Sequence, residues 1–132
     1  MADSPARCSE PLGYGGVVKS FGLTLLLQDD PDKIAEYRRF HQAVWPEVTA
    51  RLRACGVQNM QIFLRGRRLF MYLVTDDGFD PKRDFARVNE DPTSARWNAL
   101  MAELQARAPE ADPDEWWAPM DLVFDMDWPQ HR

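Results

Sequence analysis

Hydrophobic positions fall into two rhythms along the chain. "SFGLTLLLQ" (20–28) is a short apolar run of strand length. "DDPDK" follows with cap residues and an early proline, which predicts a helix opening at about 31. Inward positions then recur at 34, 37, 41, 44/45, 48 and 52, the helical period. Pro46 cannot continue that helix, so a kink or short break is expected near 43–46, with Pro46 restarting the second piece and Gly56 closing it. The rhythm then changes. "VQNMQIFLRG" and "RRLFMYLVTDDG" are β-rich runs joined at about 65–67, the pattern of an antiparallel hairpin. "DPKRDFARVNEDP" predicts a short helix at about 81–90. "TSARWNALMAELQAR" predicts another, with Trp97, Leu100, Met101 and Leu104 on one side. After a Pro- and acid-rich loop (108–115), "MDLVFDMDW" alternates as a closing strand.

The element order β-α-β-β-α-β is the ferredoxin-like α+β arrangement, one antiparallel sheet with helices on one face. The hairpin does not alternate cleanly between apolar and polar, as a sheet with one wet face should. Met60, Ile62 and Leu64 make one face apolar, while Phe63, Phe70, Tyr72 and Val74 add apolar groups beyond it. Something must cover the second face. A ligand pocket and a symmetric homodimer with two sheets in contact are both expected.

Composition narrows the classes. The 132 residues suit one domain with a core, read as 19–132 after a Gly-, Pro- and Ser-rich flexible extension at 1–18. Sixteen basic and twenty-one acidic residues, interleaved, give a net charge of −5, a poor match for nucleic acid or an anionic membrane. No apolar run is long enough to span a bilayer and no secretory signal opens the chain. Cys8 and Cys55 suggest neither a disulfide framework nor a metal site, so a reducing, cytoplasmic setting is expected.

Candidate chemistry centres on "AEYRRFHQAVWPEV" (35–48), where Tyr37, His41 and Trp45 are spaced four and four along one helical stripe. An imidazole exchanges protons near neutral pH and a phenol beside it can hold or relay one. The plain alternative is a core histidine held by one hydrogen bond. Trp45 could offer a flat apolar surface of the kind sugars stack on, or serve as structural support before Pro46, a core aromatic against the sheet. Trp97, Trp116 and Trp117 fit an aromatic-lined pocket for a neutral hydroxylated molecule, or simply seal a small domain. Glu47 and the Asp76–Asp77 turn are the acids that could orient His41. "RGRR" (65–68) reads as a solvated turn. There is no Gly-rich phosphate loop and no nucleophile elbow.

"EYRRFHQAVWPEV" resembles the signature of the L-rhamnose mutarotase family, a Tyr, a His four later, then Trp-Pro-Glu. "GVQNMQIFLRGRRLFMYLV" and "RWNALM" follow in register, so the resemblance covers about residues 20–128. It implies a dimeric α+β barrel that interconverts the α and β anomers of a 6-deoxy-L-sugar without a cofactor. By the same resemblance His41 matches the proton donor, the acid that protonates the ring oxygen, and Tyr37 a substrate-binding tyrosine. Trp97 matches the first tryptophan of a sugar-contacting pair. Met60 stands where the rhamnose enzymes have a further tyrosine, and Asn98 where they have the second tryptophan. Both departures lie in the expected pocket and favour the L-fucose branch. An oxygenase or haem-binding barrel and a non-catalytic sugar-binding module are the alternatives.

Overall fold

A computed structural model describes residues 18–131. The elements are β1 (Val18–Leu27), α1 (Pro31–Phe40), α2 (Pro46–Ala54), β2 (Val57–Arg65), β3 (Arg68–Asp76), α3 (Pro81–Val88), α4 (Pro92–Ala102), β4 (Gln105–Ala106) and β5 (Ala118–Met120), then a 3₁₀ turn at Pro129–His131. The extension read over 1–18 lies outside the described residues, except Val18, which opens β1.

The sheet runs β2-β3-β1-β4 with every pairing antiparallel, and β5 also pairs with β1. That spatial order, with helices between the first and second and the third and fourth strands, is the ferredoxin-like α+β arrangement expected from the pattern. The central strands hold it together. Leu23, Leu25 and Leu27 on β1 and Leu69, Met71 and Leu73 on β3 point to the helix face and are essentially buried. Tyr37, Val48, Trp97, Met101 and Leu104 close over Leu25, Leu27 and Leu69.

Three of the four helices start in one way. Asp30, Asp80 and Asp91 each precede a proline, and their carboxylates accept from the backbone N–H of Asp32, Arg83 and Ser94 at 2.9 Å. The aspartate satisfies an orphan donor of the first turn, and the proline occupies a position whose missing N–H costs nothing. Gly56 (φ 105°) and Gly66 (φ 62°) supply the left-handed backbone needed after α2 and in the β2–β3 turn.

The doubly apolar hairpin called for a cover on the outer sheet face, and among the described residues that face stays partly exposed. Phe63 lies opposite Phe70, which lies opposite Thr24. Phe63 is 55% exposed and Tyr72 39%. The Phe70 ring reaches across Gly22, where an added Cβ would meet Phe70 Cε1 at 2.9 Å.

Four expectations are corrected. The helix read over 93–107 ends at Ala102, because Leu104 and Gln105 turn into the sheet edge: Gln28 N–H donates to the Leu104 carbonyl at 2.9 Å and Leu27 pairs with Gln105. The closing strand expected over 120–128 is only Ala118–Met120, paired with Gly22–Thr24; residues 121–125 form no strand although β1 continues back to Val18. "RGRR" is tied back rather than simply solvated: Arg67 Nε donates to the Leu27 carbonyl at 2.8 Å and Arg68 Nη1 to Thr24 Oγ1 at 3.0 Å. Cys55 is fully buried and disulfide-bonded, although the two cysteines suggested no disulfide framework. Among the described residues no helix is long and apolar enough to cross a membrane.

Two substitutions test these supports by urea denaturation. Leu73→Ala, in the centre of the sheet, should cost about 2–5 kcal/mol. Asp91→Ala, which uncaps the helix carrying Trp97, should cost about 1 kcal/mol.

Candidate functional site

The break between α1 and α2 builds the site. Pro46 has no N–H to offer and excludes Trp45 from helical backbone, so Trp45 adopts φ −57° and ψ 131°. The first helix therefore ends at Phe40, and His41 becomes its C-cap. Both the backbone N–H of His41 and its ring Nδ1 then find the Tyr37 carbonyl, at 3.2 and 2.9 Å. A carbonyl only accepts, so Nδ1 carries the ring hydrogen and the neutral imidazole keeps its free lone pair on Nε2. The residue that orients His41 is thus a main-chain carbonyl. Glu47 and Asp76, the acids considered from sequence, do not serve: Asp76 accepts from Gln58 Nε2 at 2.8 Å.

Aromatic rings hold the imidazole on both sides. The Tyr37 ring lies 4.2 Å away at 31°, and Trp97 meets it edge-on at 5.4 Å and 69°. Trp97 is in turn braced by Phe40 at 5.9 Å and Trp45 at 5.1 Å. Arg96 places its guanidinium 5.5 Å over the Trp45 ring. Trp45 is not on the stripe of α1, as the four-and-four spacing implied, but at the start of α2. Its supporting role stands.

Burial decides the protonation states. It pushes the His41 pKa below the usual 6.5, outweighing the Tyr37 carbonyl, which acts the other way by favouring the charged ring. The ring is therefore neutral at pH 7. Burial also lifts the Tyr37 phenol to about 12, against a smaller downward pull from the Gln105 side chain. Tyr37 is a hydrogen-bond donor throughout the physiological range and not a base.

The seven residues expected at a site, Tyr37, His41, Met60, Trp97, Asn98, Trp116 and Trp117, all line one cavity of about 1240 Å³. That exceeds the usual range for an enclosed ligand pocket, as befits a trough open along one side. Tyr37, His41 and Trp97 form its tight corner. Met60 comes from β2 on the helix face of the sheet, packed against the Leu23–Met71–Leu73 cluster. Asn98 is an exposed rim residue whose Nδ2 donates to Asn89 Oδ1 at 3.0 Å. Trp117 packs against both core clusters, and Trp116 donates its indole N–H to Gln105 Oε1 at 2.8 Å. Gln105 itself was missed from the sequence, where it fell inside a predicted helix. Its register opposite Leu27 is what turns it inward. Among the described residues no group of three or more His, Cys, Asp or Glu is placed to hold a metal ion.

Residues 20–126 match the model of the L-rhamnose mutarotase family. The chain belongs to that family. An L-fucose mutarotase of Xanthomonas campestris is 38% identical over 100 residues, which cover 74% of this chain and 80% of that one. A Dictyostelium discoideum protein named only as a UPF0734 protein is 43% identical over 114 residues, 83% of this chain and 91% of its own. The crystal structure of an L-rhamnose mutarotase from Formosa agariphila aligns with a TM-score of 0.59 at 22% identity, covering 83% of this chain and 99% of that one. At that identity the likeness supports the shared fold.

The electrostatics give a direct check. In an NMR titration of the two histidines, the His41 ring should inflect below 6.5. Because the folded chain then binds fewer protons than the unfolded one, His41 should lower stability as pH falls through 6.5 towards that inflection. An inflection at or above 6.5 would contradict the burial.

Proposed function

We propose that the chain is a sugar mutarotase, an isomerase that interconverts the α and β pyranose forms of a 6-deoxy-L-sugar without a cofactor. The observation that carries the reading is the His41 ring: neutral, fixed through Nδ1, clasped between Tyr37 and Trp97, and lining the cavity. Family membership supports the same reaction. The oxygenase and haem-binding alternatives gain no such support, since the named relatives are mutarotases.

A single neutral imidazole can run the reaction in both directions. Nε2 takes the proton of the anomeric hydroxyl as the C1–O5 bond breaks and its electron pair passes to the ring oxygen. The imidazolium then delivers that proton to O5, leaving a free aldehyde. Rotation about C1–C2 presents the other carbonyl face, and the same steps reversed close the ring. His41 thus acts first as base and then as the acid expected from sequence. Tyr37 donates a hydrogen bond to the sugar and steadies charge on its oxygens. Trp97 offers an apolar wall, with Trp116 and Trp117 further along the trough.

L-Fucose is favoured over L-rhamnose. By the family resemblance Met60 and Asn98 put a thioether and a much smaller amide where the rhamnose enzymes have a phenol and an indole, which changes both the hydrogen bonds on offer and the room in the pocket. The L-fucose mutarotase match, 38% over 100 residues, combines the identity of one L-rhamnose mutarotase match (38% over 85) with nearly the length of another (31% over 102).

A homodimer is part of the proposal. The outer sheet face presents Phe63, Phe70 and Tyr72. Beyond β5, Leu122, Val123, Phe124 and Met126 are all more than half exposed, 83% at Val123. Apolar groups gathered this way mark an association surface. A second copy meeting the first face to face would bury both.

Saturation-transfer NMR on L-fucose and L-rhamnose should show accelerated anomer exchange, greater for L-fucose. His41→Ala should lower it by about 10²–10⁴-fold with the fold intact. In the parent protein, exchange should fall as pH drops through the depressed His41 pKa, below 6.5. Binding of sugar without faster exchange would instead indicate a non-catalytic module. By sedimentation, the parent should run at twice the chain mass and Tyr72→Glu as a monomer.

A further inference from the structure

We infer that Ser94 is a specificity-determining residue: its hydroxyl hydrogen-bonds the C4 hydroxyl of the sugar and so favours L-fucose over L-rhamnose. The inference rests on the mutarotase reading and names how that site tells one 6-deoxy sugar from another.

Ser94 lies in the first turn of α4, three residues before Trp97 and four before Asn98. That spacing puts the three on one face of the helix. All three line the cavity, and so does Ala102 further along the same face. Trp97 meets the His41 ring edge-on. Ser94 therefore stands one helical turn beyond the aromatic wall of the reacting corner.

The hydroxyl has no duty in the helix. A serine in a first turn ordinarily caps the helix or bonds a carbonyl one turn back. Here Asp91 is the cap, its carboxylate accepting from the Ser94 backbone N–H at 2.9 Å. The Asp91 carbonyl is taken by the Ala95 N–H, also at 2.9 Å. Ser94 Oγ is enclosed, yet it has no hydrogen-bond partner among the described residues. An unpaired hydroxyl in a buried layer costs stability, and alanine would suit the helix better. Ser94 is only 1% exposed, so a partner can reach it only from the cavity it lines. Rotation about its one Cα–Cβ bond moves Oγ between staggered positions, and a partner in the cavity draws it out.

The ring of the sugar decides which group arrives there. With C1 and O5 at His41 Nε2, the ring atom opposite C1 is C4, and its hydroxyl points away from the reacting end. L-Fucose carries that hydroxyl axial and L-rhamnose equatorial, so a single group on the cavity wall separates them. A serine hydroxyl both donates and accepts, and it matches another hydroxyl in either role. The two sugars differ also at C2, but C2 adjoins C1 and stays beside His41.

A cycle of two changes, one in the protein and one in the sugar, isolates the contact. Dissociation constants for L-fucose and 4-deoxy-L-fucose are read by NMR titration in the parent and in Ser94→Ala. In the parent the 4-deoxy sugar should bind about three- to tenfold more weakly than L-fucose. In Ser94→Ala the two sugars should bind alike, both at the level of the 4-deoxy sugar in the parent. The variant should unfold at the same or a higher urea concentration, because it gives up no hydrogen bond of the fold. Ser94→Cys, similar in shape with a weaker donor, should fall between serine and alanine.

A 4-deoxy penalty that persists in Ser94→Ala overturns the role of Ser94. So does a parent indifferent to the C4 hydroxyl, or a variant that holds L-fucose as tightly as the parent. These constants report binding alone. A parent that accelerates anomer exchange on neither sugar overturns the mutarotase reading instead.

Discussion

One carbonyl organises the site. Tyr37 O accepts both the main-chain N–H and the ring Nδ1 of His41, and this is possible because the helix stops there. Inside an uninterrupted helix that carbonyl would serve the backbone alone and the imidazole would sweep a range of rotamers. Pro46 enforces the stop five residues later, by denying a hydrogen bond and barring helical backbone at Trp45. Tautomer, ring plane and partial burial of His41 all follow from that short break. So does the placement of Trp45 behind Trp97, which makes the aromatic wall rigid.

A second interruption completes the trough. Splitting the fourth strand into β4 and β5 frees the loop between them to carry Trp116 and Trp117 back over the helix face of the sheet. Lys82 on α3 pairs with Asp114 of that loop and ties its outer edge down. The two breaks meet at one place. Tyr37 from the first and Gln105 from the second line the same cavity, and the Trp116 indole donates to the Gln105 amide oxygen beside them.

Local signals carried much of this. Asp-Asp-Pro announced the first helix start, Pro46 announced the break, and the mixed hairpin announced a second apolar face in need of a cover. The motif around Tyr37 and His41 was legible because both residues lie within one helical turn. What could not be read depended on pairing partners far along the chain. "ELQAR" continues a good helical pattern, and only the free edge of β1 near Leu26 and Leu27 draws Gln105 out into a strand. "MDLVFDMDW" alternates as a strand should, but only Met120 of it pairs with β1. Trp45 was misplaced for a related reason: spacing counts residues and does not see that the proline has changed the axis. The orienting group of His41 was sought among acids, although a main-chain carbonyl has no sequence signature.

The tautomer of His41 is the most direct test of the site. Nitrogen-15 NMR of the ring at neutral pH distinguishes a nitrogen that carries hydrogen from one that does not. A neutral ring with hydrogen on Nδ1 and a bare Nε2 is the predicted result. A ring with hydrogen on Nε2, or one already charged at pH 7, would contradict the geometry from which the chemistry was built.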